Sequence, residues 1–233
     1  MKVTAIRTAI FREGDGLISF ITKHISRPRE GSIIVVTSKI IALSEHRTAV
    51  RTSEKVKDSI IKSESDFALK TKLAWLTIKN GMVLASAGVD ESNANGKLIL
   101  LPKDSYKTAS NLRKVLKKLW KLKKLGVLIT DSRLLPLRAG SVGVALGYAG
   151  FKGVKDYRGT KDIFGRVLKM SRVDVADSLA TAAVLEMGEG AERQPLAIIE
   201  SAPVEFTEKV NPKELVIAIK KDLYYPLFKR VKE

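Results

Sequence analysis

The stretch Gly31–Ser38, "GSIIVVTS", decides the fold. Its β-branched run predicts a strand, and the strand ends in a polar trio, Thr37, Ser38 and Lys39. Upstream lie a strand "KVTAIRTAI", a Gly-Asp-Gly turn and a helix "LISFITKHI". That order is β-turn-α-β grammar and points to an α/β chain. Downstream, "SEKVKDSIIKSESDFALKT" reads as mostly helical, and apolar runs on either side of Asn80-Gly81 read as a hairpin.

The second half repeats the pattern. "GVLITD" predicts a buried strand that delivers Asp131 and Ser132 at its C-terminal end, where α/β sheets gather ligands. A Gly-rich run, "RAGSVGVALGYAGF", precedes a polar loop and a small-residue helix, "DVADSLATAAVLEMG", whose Ala176, Ala180, Ala182 and Ala183 allow close packing and whose C-cap is Gly188. "PLAIIES" reads as a strand and "NPKELVIAIKKDLYYPLFKRVKE" as a terminal helix and tail. No Pro/Ser/Gly linker and no repeat interrupts the chain, so the expectation is one unit over 1–233 with two interlocked lobes of mixed sheet and helices, the smaller inserted at about 86–165.

Composition removes whole classes of chemistry. With no cysteine among 233 residues, disulfides, thiolate zinc sites and cysteine nucleophiles are out. Only His24 and His46 are present; His24 is expected in a surface turn and His46 as an exposed side chain. "SIIVVTSKIIAL" is broken by Lys39 and the N-terminus is charged, which predicts neither a membrane span nor a signal peptide and implies a cytoplasmic protein. The net charge of +17 favours anionic partners without saying which. Much of it falls in "NLRKVLKKLWKLKKLG", an amphipathic helix with Leu112, Val115, Leu116, Leu119 and Trp120 on one stripe and Lys114, Lys117, Lys118 and Lys121 on the other face. A solvated helix explains it, and a nucleic-acid or membrane surface is the alternative reading.

No P-loop exists, because Gly96-Lys97 lacks the earlier glycine, and "GEGAER" lacks the third glycine of the dinucleotide fingerprint. What remains is a set of hard oxygen donors at strand exits. "SAGVDESNANG", Ser86–Gly96, carries Asp90, Glu91, Ser92 and Asn93, and "ITDS" carries Asp131 and Ser132. Each is either an ordinary turn or half of a site for Mg²⁺ or Mn²⁺ with phosphate, since these ions take carboxylates, waters and substrate oxygens. Spacing alone does not bring the halves together.

The order "SAGVDESNANG", "LILLPKDSYKTASNLR", "GVLITDS", "PLRAGSVGVALGYAGF", "KDYRGTKDIFGRVLKMSRVDVADSLATAAVLEMGEG" resembles the coenzyme F-420:gamma-glutamyl ligase family, of the CofE type, from "REGDGL" to "PLAIIE". The resemblance implies a GTP-dependent ligase that joins L-glutamate to the carboxylate of a phosphorylated deazaflavin through an acyl phosphate. It implies metal ligation by Asp90 and Asp131, the catalytic pair, with Ser132 assisting, and nucleotide contacts from Ser38, Lys39, Asn93 and the loop Gly188, Glu189, Gly190 and Ala191. It also implies Mg²⁺ or Mn²⁺, allows a monovalent cation, and suggests a homodimer with the site near the subunit interface.

Arg138, Arg158 and Arg166 are added as phosphate or carboxylate forks, with structural salt bridges as the other reading. Three departures stand out. Leu43 replaces a lysine expected at the nucleotide, "TDSRLLPLR" lacks an aromatic wall, and "TAIF" replaces a Leu-Pro. These point to a branch with another acceptor, such as a folate, and leave GTP against ATP open. A non-catalytic nucleic-acid-binding protein is the rival from another class, and the acidic positions argue against it.

Overall fold

Ser32–Thr37 form a central strand because Ile33 and Val35 face one side of the sheet and Ile34 and Val36 the other, all four fully buried. The structure is a computed structural model that describes residues 1–228. In chain order its elements are β1 (Lys2–Ile6), α1 (Leu17–His24), β2 (Ser32–Thr37), α2 (Ser38–Ser44), β3 (Thr48–Val50), α3 (Glu54–Ser63), β4 (Phe67–Lys70), β5 (Trp75–Lys79) and β6 (Met82–Ala85). There follow β7 (Lys97–Ile99), α4 (Ser105–Leu119), β8 (Leu125–Leu134), β9 (Ser141–Ala149), β10 (Val154–Asp156), β11 (Arg172–Asp174), α5 (Val175–Met187) and β12 (Leu196–Glu200).

Five strands make the main sheet in the order β1-β12-β2-β8-β9, antiparallel except for the parallel pair β2 and β8. Helices cover both faces. Phe20, Ile21, Leu112 and Leu116 from α1 and α4 pack on Ile34, Val36, Val127 and Ile129. On the other face α5 lays Ala176, Leu179, Ala180 and Ala183 on Ile33, Val35, Leu128 and Ile199. The small residues let α5 lie close to β9: a Cβ on Gly143 would stand 2.3 Å from the Ala180 carbonyl. A Cβ on Gly147 would stand 2.5 Å from the Ser105 backbone, against the other layer. The Gly-rich run is therefore an edge strand squeezed between two helices.

A smaller body sits at one end of the sheet. It holds the ribbon β3-β7, the three-stranded sheet β4-β5-β6 and α3, around Ile61, Ala87, Val89, Leu98 and Leu100. The β5-β6 hairpin turns at Asn80 and Gly81, both with positive φ as the Asn-Gly pair predicts. The stretch 86–165, expected to hold the inserted lobe, is divided: β7 joins the small body, whereas β8 and β9 belong to the main sheet.

Several local expectations are corrected. Phe67–Lys70 leaves the helix and becomes β4, paired with β5. The basic helix begins at Ser105, capped by the Asp104 carboxylate on the Lys107 N–H at 2.9 Å, and ends at Leu119, with Val115 and Leu119 exposed. Its Arg113 is buried and donates to the Leu125 carbonyl and to both Glu208 oxygens. His24 closes α1 rather than lying in a turn, accepting the Ala9 N–H, while His46 is exposed beside Glu13. The terminal helix does not form over 211–228, where only short 3₁₀ turns occur. Pro226 interrupts it near its end, and Glu214 is captured by the Tyr148 hydroxyl and the Gly153 N–H. Its last positions, 229–233, lie outside the described residues. No helix among the described residues is long and apolar enough to cross a membrane.

Candidate active site

β2 and β8 run side by side until Thr37 meets Thr130, and there the two chains part. Residues from Ser38 turn into α2, while β8 carries on through Asp131 and Ser132, still paired with Val144 and Gly143 of β9 after a bulge at Ile129/Thr130. Asp131 is therefore not at a strand end, as expected, but on a strand that outlasts its parallel neighbour. Into the gap Ser38, 3% exposed, donates its hydroxyl to Asp131 Oδ1 at 3.1 Å.

The turn Ser86–Gly96 brings the second carboxylate. Its backbone is held by paired hydrogen bonds between Asp90 and Ile99, so Asp90 is anchored to the start of the β3-β7 ribbon. Asn93 and Asn95 adopt positive φ, a conformation Asn tolerates better than most side chains. The Asp90 carboxylate accepts from the Ser92 N–H at 2.6 Å and pairs with Lys39 Nζ at 2.8 Å. Lys39 also donates to the Ser92 hydroxyl at 2.7 Å, which ties α2 to the turn. Glu91 points elsewhere, to Lys57 and Arg51.

A third wall is the loop after α5. Glu189 accepts the Ser132 hydroxyl, and the Asn93 amide reaches the Gly190 carbonyl at 3.4 Å. Gly188, at φ +78, ends the helix and starts this loop. Ser38, Lys39, Asp90, Asn93, Asp131, Ser132 and the 188–191 loop thus converge. All but Ser38 line one cleft of about 1080 Å³, and Ser38 touches it through Asp131.

The two aspartates differ electrically. Burial pushes the Asp131 carboxyl up to about 6, and the nearby negative Asp90 adds to this against the Ser132 N–H, the Ser38 hydroxyl and Lys39. For Asp90 burial also opposes ionisation, but Lys39 and Ser92 outweigh it and hold the carboxyl below its ordinary value. Among the described residues no three carboxylate or imidazole side chains form a ready metal cage. The donor set does fit a hard divalent ion whose remaining ligands come from phosphate and water: a desolvated carboxylate, a second carboxylate within its field, and the Ser132 hydroxyl.

The expected arginines stand apart from the cleft walls. Arg158 is held by Asp156, its Nη2 at 2.5 Å from the carboxylate; Arg138 lies in the exposed 135–140 tip of the β8-β9 hairpin; Arg166 lies in the exposed 157–171 loop. Leu43 takes its place in the cleft wall, packed with Ala42, Ala94 and Ile99. Sequence reading missed the segment Thr8–Glu13, which lines the opposite wall because β1 is delivered beside β12. It also missed Thr130, 1% exposed, a residue of the cleft lining whose buried hydroxyl has no hydrogen-bond partner among the described residues. The polar pair Thr130-Asp131 at a buried strand was the available signal.

Comparison with known proteins gives a consistent result. The family described as F420-0:Gamma-glutamyl ligase matches residues 5–201. The chain is 34% identical over 213 residues to the coenzyme F420:L-glutamate ligase of Methanococcus maripaludis strain C6, covering 84% of this chain and 85% of that one. With the coenzyme F420:L-glutamate ligase of Methanocaldococcus jannaschii it shares 36% identity over 208 residues, 86% and 83% of the two chains. The enzyme of that name from Archaeoglobus fulgidus is 32% identical over 213 residues, 84% and 85% of the two chains.

Proposed function

Because the chain belongs to the F420-0:gamma-glutamyl ligase family, we propose that it is a GTP-dependent ligase of coenzyme F420 biosynthesis that joins L-glutamate to a carboxylate acceptor in the cytoplasm. Condensing a carboxylate with an amine in water is uphill, so the acceptor is first activated. An acceptor carboxylate oxygen bonds to the γ-phosphorus, the bond to the β-phosphate oxygen breaks, and GDP leaves. The glutamate amine, having lost one proton from its ammonium form, attacks the acyl carbon; the C–N bond forms, the bond between that carbon and the phosphate oxygen breaks, inorganic phosphate departs, and a second proton leaves the nitrogen as the amide forms. Mg²⁺ or Mn²⁺, when bound, neutralises charge on the transferring phosphoryl group.

Asp131 and Asp90 would hold the ion, with the Ser132 hydroxyl as a further donor. Ser38 fixes the rotamer of Asp131 through its hydrogen bond, and Lys39 orients Asp90. Asn93 and the Gly188–Ala191 loop meet the nucleotide. The observation that carries the reading is the meeting of Asp90 and Asp131 from distant segments in one cleft, with Lys39 between them and Asp131 carried to about 6.

A second copy of the chain is part of the proposal. Leu137, Ile163, Phe164, Met170 and Leu185 are more than four-fifths exposed, apolar side chains of the kind that a partner subunit covers.

The test offers the purified protein GTP or ATP, Mn²⁺ or Mg²⁺, L-glutamate, and either a phosphorylated deazaflavin or a folate. Products are weighed by mass spectrometry. Glutamylated deazaflavin formed with GTP and lost with a chelator is the expected result. Product with ATP alone, or on folate alone, overturns the nucleotide or acceptor assignment.

A further inference from the structure

No residue of α4 lines the catalytic cleft, yet this helix and its exit concentrate positive charge. Seven cationic residues fall between Arg113 and Lys124, and only Arg113 and Lys117 have a carboxylate, both pairing with Glu208 at 2.8 Å. Lys114, Lys118, Lys121, Lys123 and Lys124 have no ion-pair partner among the described residues, and neither has Lys107 one turn into the helix. The carboxylates that border the helix are engaged elsewhere. Asp104 caps the Lys107 N–H at 2.9 Å, and Glu30 accepts the N–H groups of Lys123 and Lys124.

The free lysines are also ordered. Lys107, Lys114 and Lys118, all exposed, recur at steps of seven and four, so they stand in one row about 17 Å long at roughly 1.5 Å per residue. Like charges four residues apart, as at Lys114 and Lys118, weaken a helix. Lys121 follows three residues later, just past the C-cap Trp120. It has φ +53 and closes a Schellman turn, in which its N–H and that of Leu122 donate to the carbonyls of Lys118 and Lys117. Glycine is the usual residue there, because a Cβ strains the left-handed backbone. The chain therefore keeps a cation where glycine would be more stable.

The partner that fits is a polyanion with closely spaced phosphates. Leu112, Leu116 and Trp120 are 5% exposed or less, and only Val115 and Leu119 of the apolar stripe reach the surface, so the helix has no free apolar face to sink into a bilayer. The row holds no aromatic side chain on which unpaired bases could stack. Lysines are point charges suited to phosphate, and the row has no guanidinium fork for base edges. We propose that the row Lys107, Lys114, Lys118 and Lys121 binds the phosphate backbone of double-stranded DNA without reading its sequence, at a surface separate from the catalytic cleft.

Fluorescence anisotropy of the full chain with a random-sequence DNA duplex of about 20 base pairs tests this. Four phosphate contacts predict a slope of about −4 in log affinity against log salt, so binding weakens about 100-fold between about 50 and about 200 mM salt. Changing Lys114→Gln, Lys118→Gln and Lys121→Gln together reduces the magnitude of that slope by about 3 and leaves kcat/KM for glutamate ligation within about 2-fold. The same charge loss placed elsewhere, Lys55→Gln with Lys72→Gln and Lys169→Gln, changes the slope by less than about 1. Lys121→Gly alone weakens binding about 10-fold while the protein melts about 2 °C higher. An equal loss of slope in the two triple variants overturns the proposal, since net charge alone would then explain the binding. Tighter binding to a single strand of the same length, or to phosphatidylserine vesicles, also overturns it. So does a Lys121→Gly variant that melts lower than wild type, which would make that lysine structural.

Discussion

Asp131 stands on β8 within a paired ladder, its neighbours locked between β9 and the end of β2. Asp90 stands on a turn, held by a backbone pair with Ile99 and by the single cation Lys39. The sheet residue is desolvated and carried to about 6, whereas for the turn residue Lys39 and Ser92 outweigh burial and hold the carboxyl below its ordinary value. One carboxylate is thus placed by rigidity and pays in charge; the other is placed by charge and keeps its freedom. A cleft that closes on a metal and a phosphate can use both: a fixed ligand and one that adjusts.

The sharpest way to break the contrast is Asp131→Asn. Turnover is expected to fall at least about 1000-fold, roughly 4 kcal/mol of transition-state stabilisation, with the fold retained. The sign of the stability change follows from the raised value. Native Asp131 binds its proton more tightly than the unfolded chain does, so its contribution is most favourable below about pH 4 and is lost as pH rises through about 6. At pH 7 the variant should therefore melt higher than wild type, by roughly 1–3 kcal/mol of stability, with the difference vanishing near pH 4. Urea melts at several pH values read this, and near-normal activity in the variant would sink the metal assignment.

Gly143→Ala probes the rigid side without touching a ligand. Its Cβ would meet the Ala180 carbonyl at 2.3 Å, backbone that cannot step aside, so about 3 kcal/mol should be lost in a denaturant midpoint. Gly96→Ala on the turn side is the control: nothing lies within 4 Å, and only φ +79 opposes it, for about 1 kcal/mol. Equal losses would mean that the two regions are equally constrained.

Between these falls Lys39→Met, which removes the cation from Asp90 but leaves Asp131 bonded to Ser38. The kcat/KM for GTP should drop about 30-fold, most of it as a rise in KM, with stability changed by less than about 1 kcal/mol, since the pair is partly exposed. A variant that loses several kcal/mol of stability and keeps its KM would make Lys39 structural.

Much of the frame was legible in the chain because it rests on local rules. Ile33–Val36 form a strand on side-chain shape alone, Asn80-Gly81 turn a hairpin because Asn and Gly accept positive φ, and Gly188 ends α5 for the same reason. The Gly-rich 139–150 run was not legible as a strand. Glycine disfavours strands, and its presence here answers to helix backbones that approach from both sides, Ala180 on one and Ser105 on the other. Residues 211–228 carry a helical pattern, yet Glu214 is held by Tyr148 and Gly153 and Pro226 breaks the pattern near its end.

The site divides in the same way. Sequence by itself excluded thiols and left hard oxygen donors as candidates, and it put Asp90 in a turn after the β5-β6 hairpin, but it placed Asp131 at the end of a strand that in fact continues to Leu134. Only the tertiary structure decided that they share a cleft, that Ser38 bonds to one and Lys39 pairs with the other, and that the Thr8–Glu13 segment lines the same cleft. The physical reason is range: propensity, turns and caps act over a few residues, while desolvation and charge pairing depend on which distant segments the sheet order brings face to face.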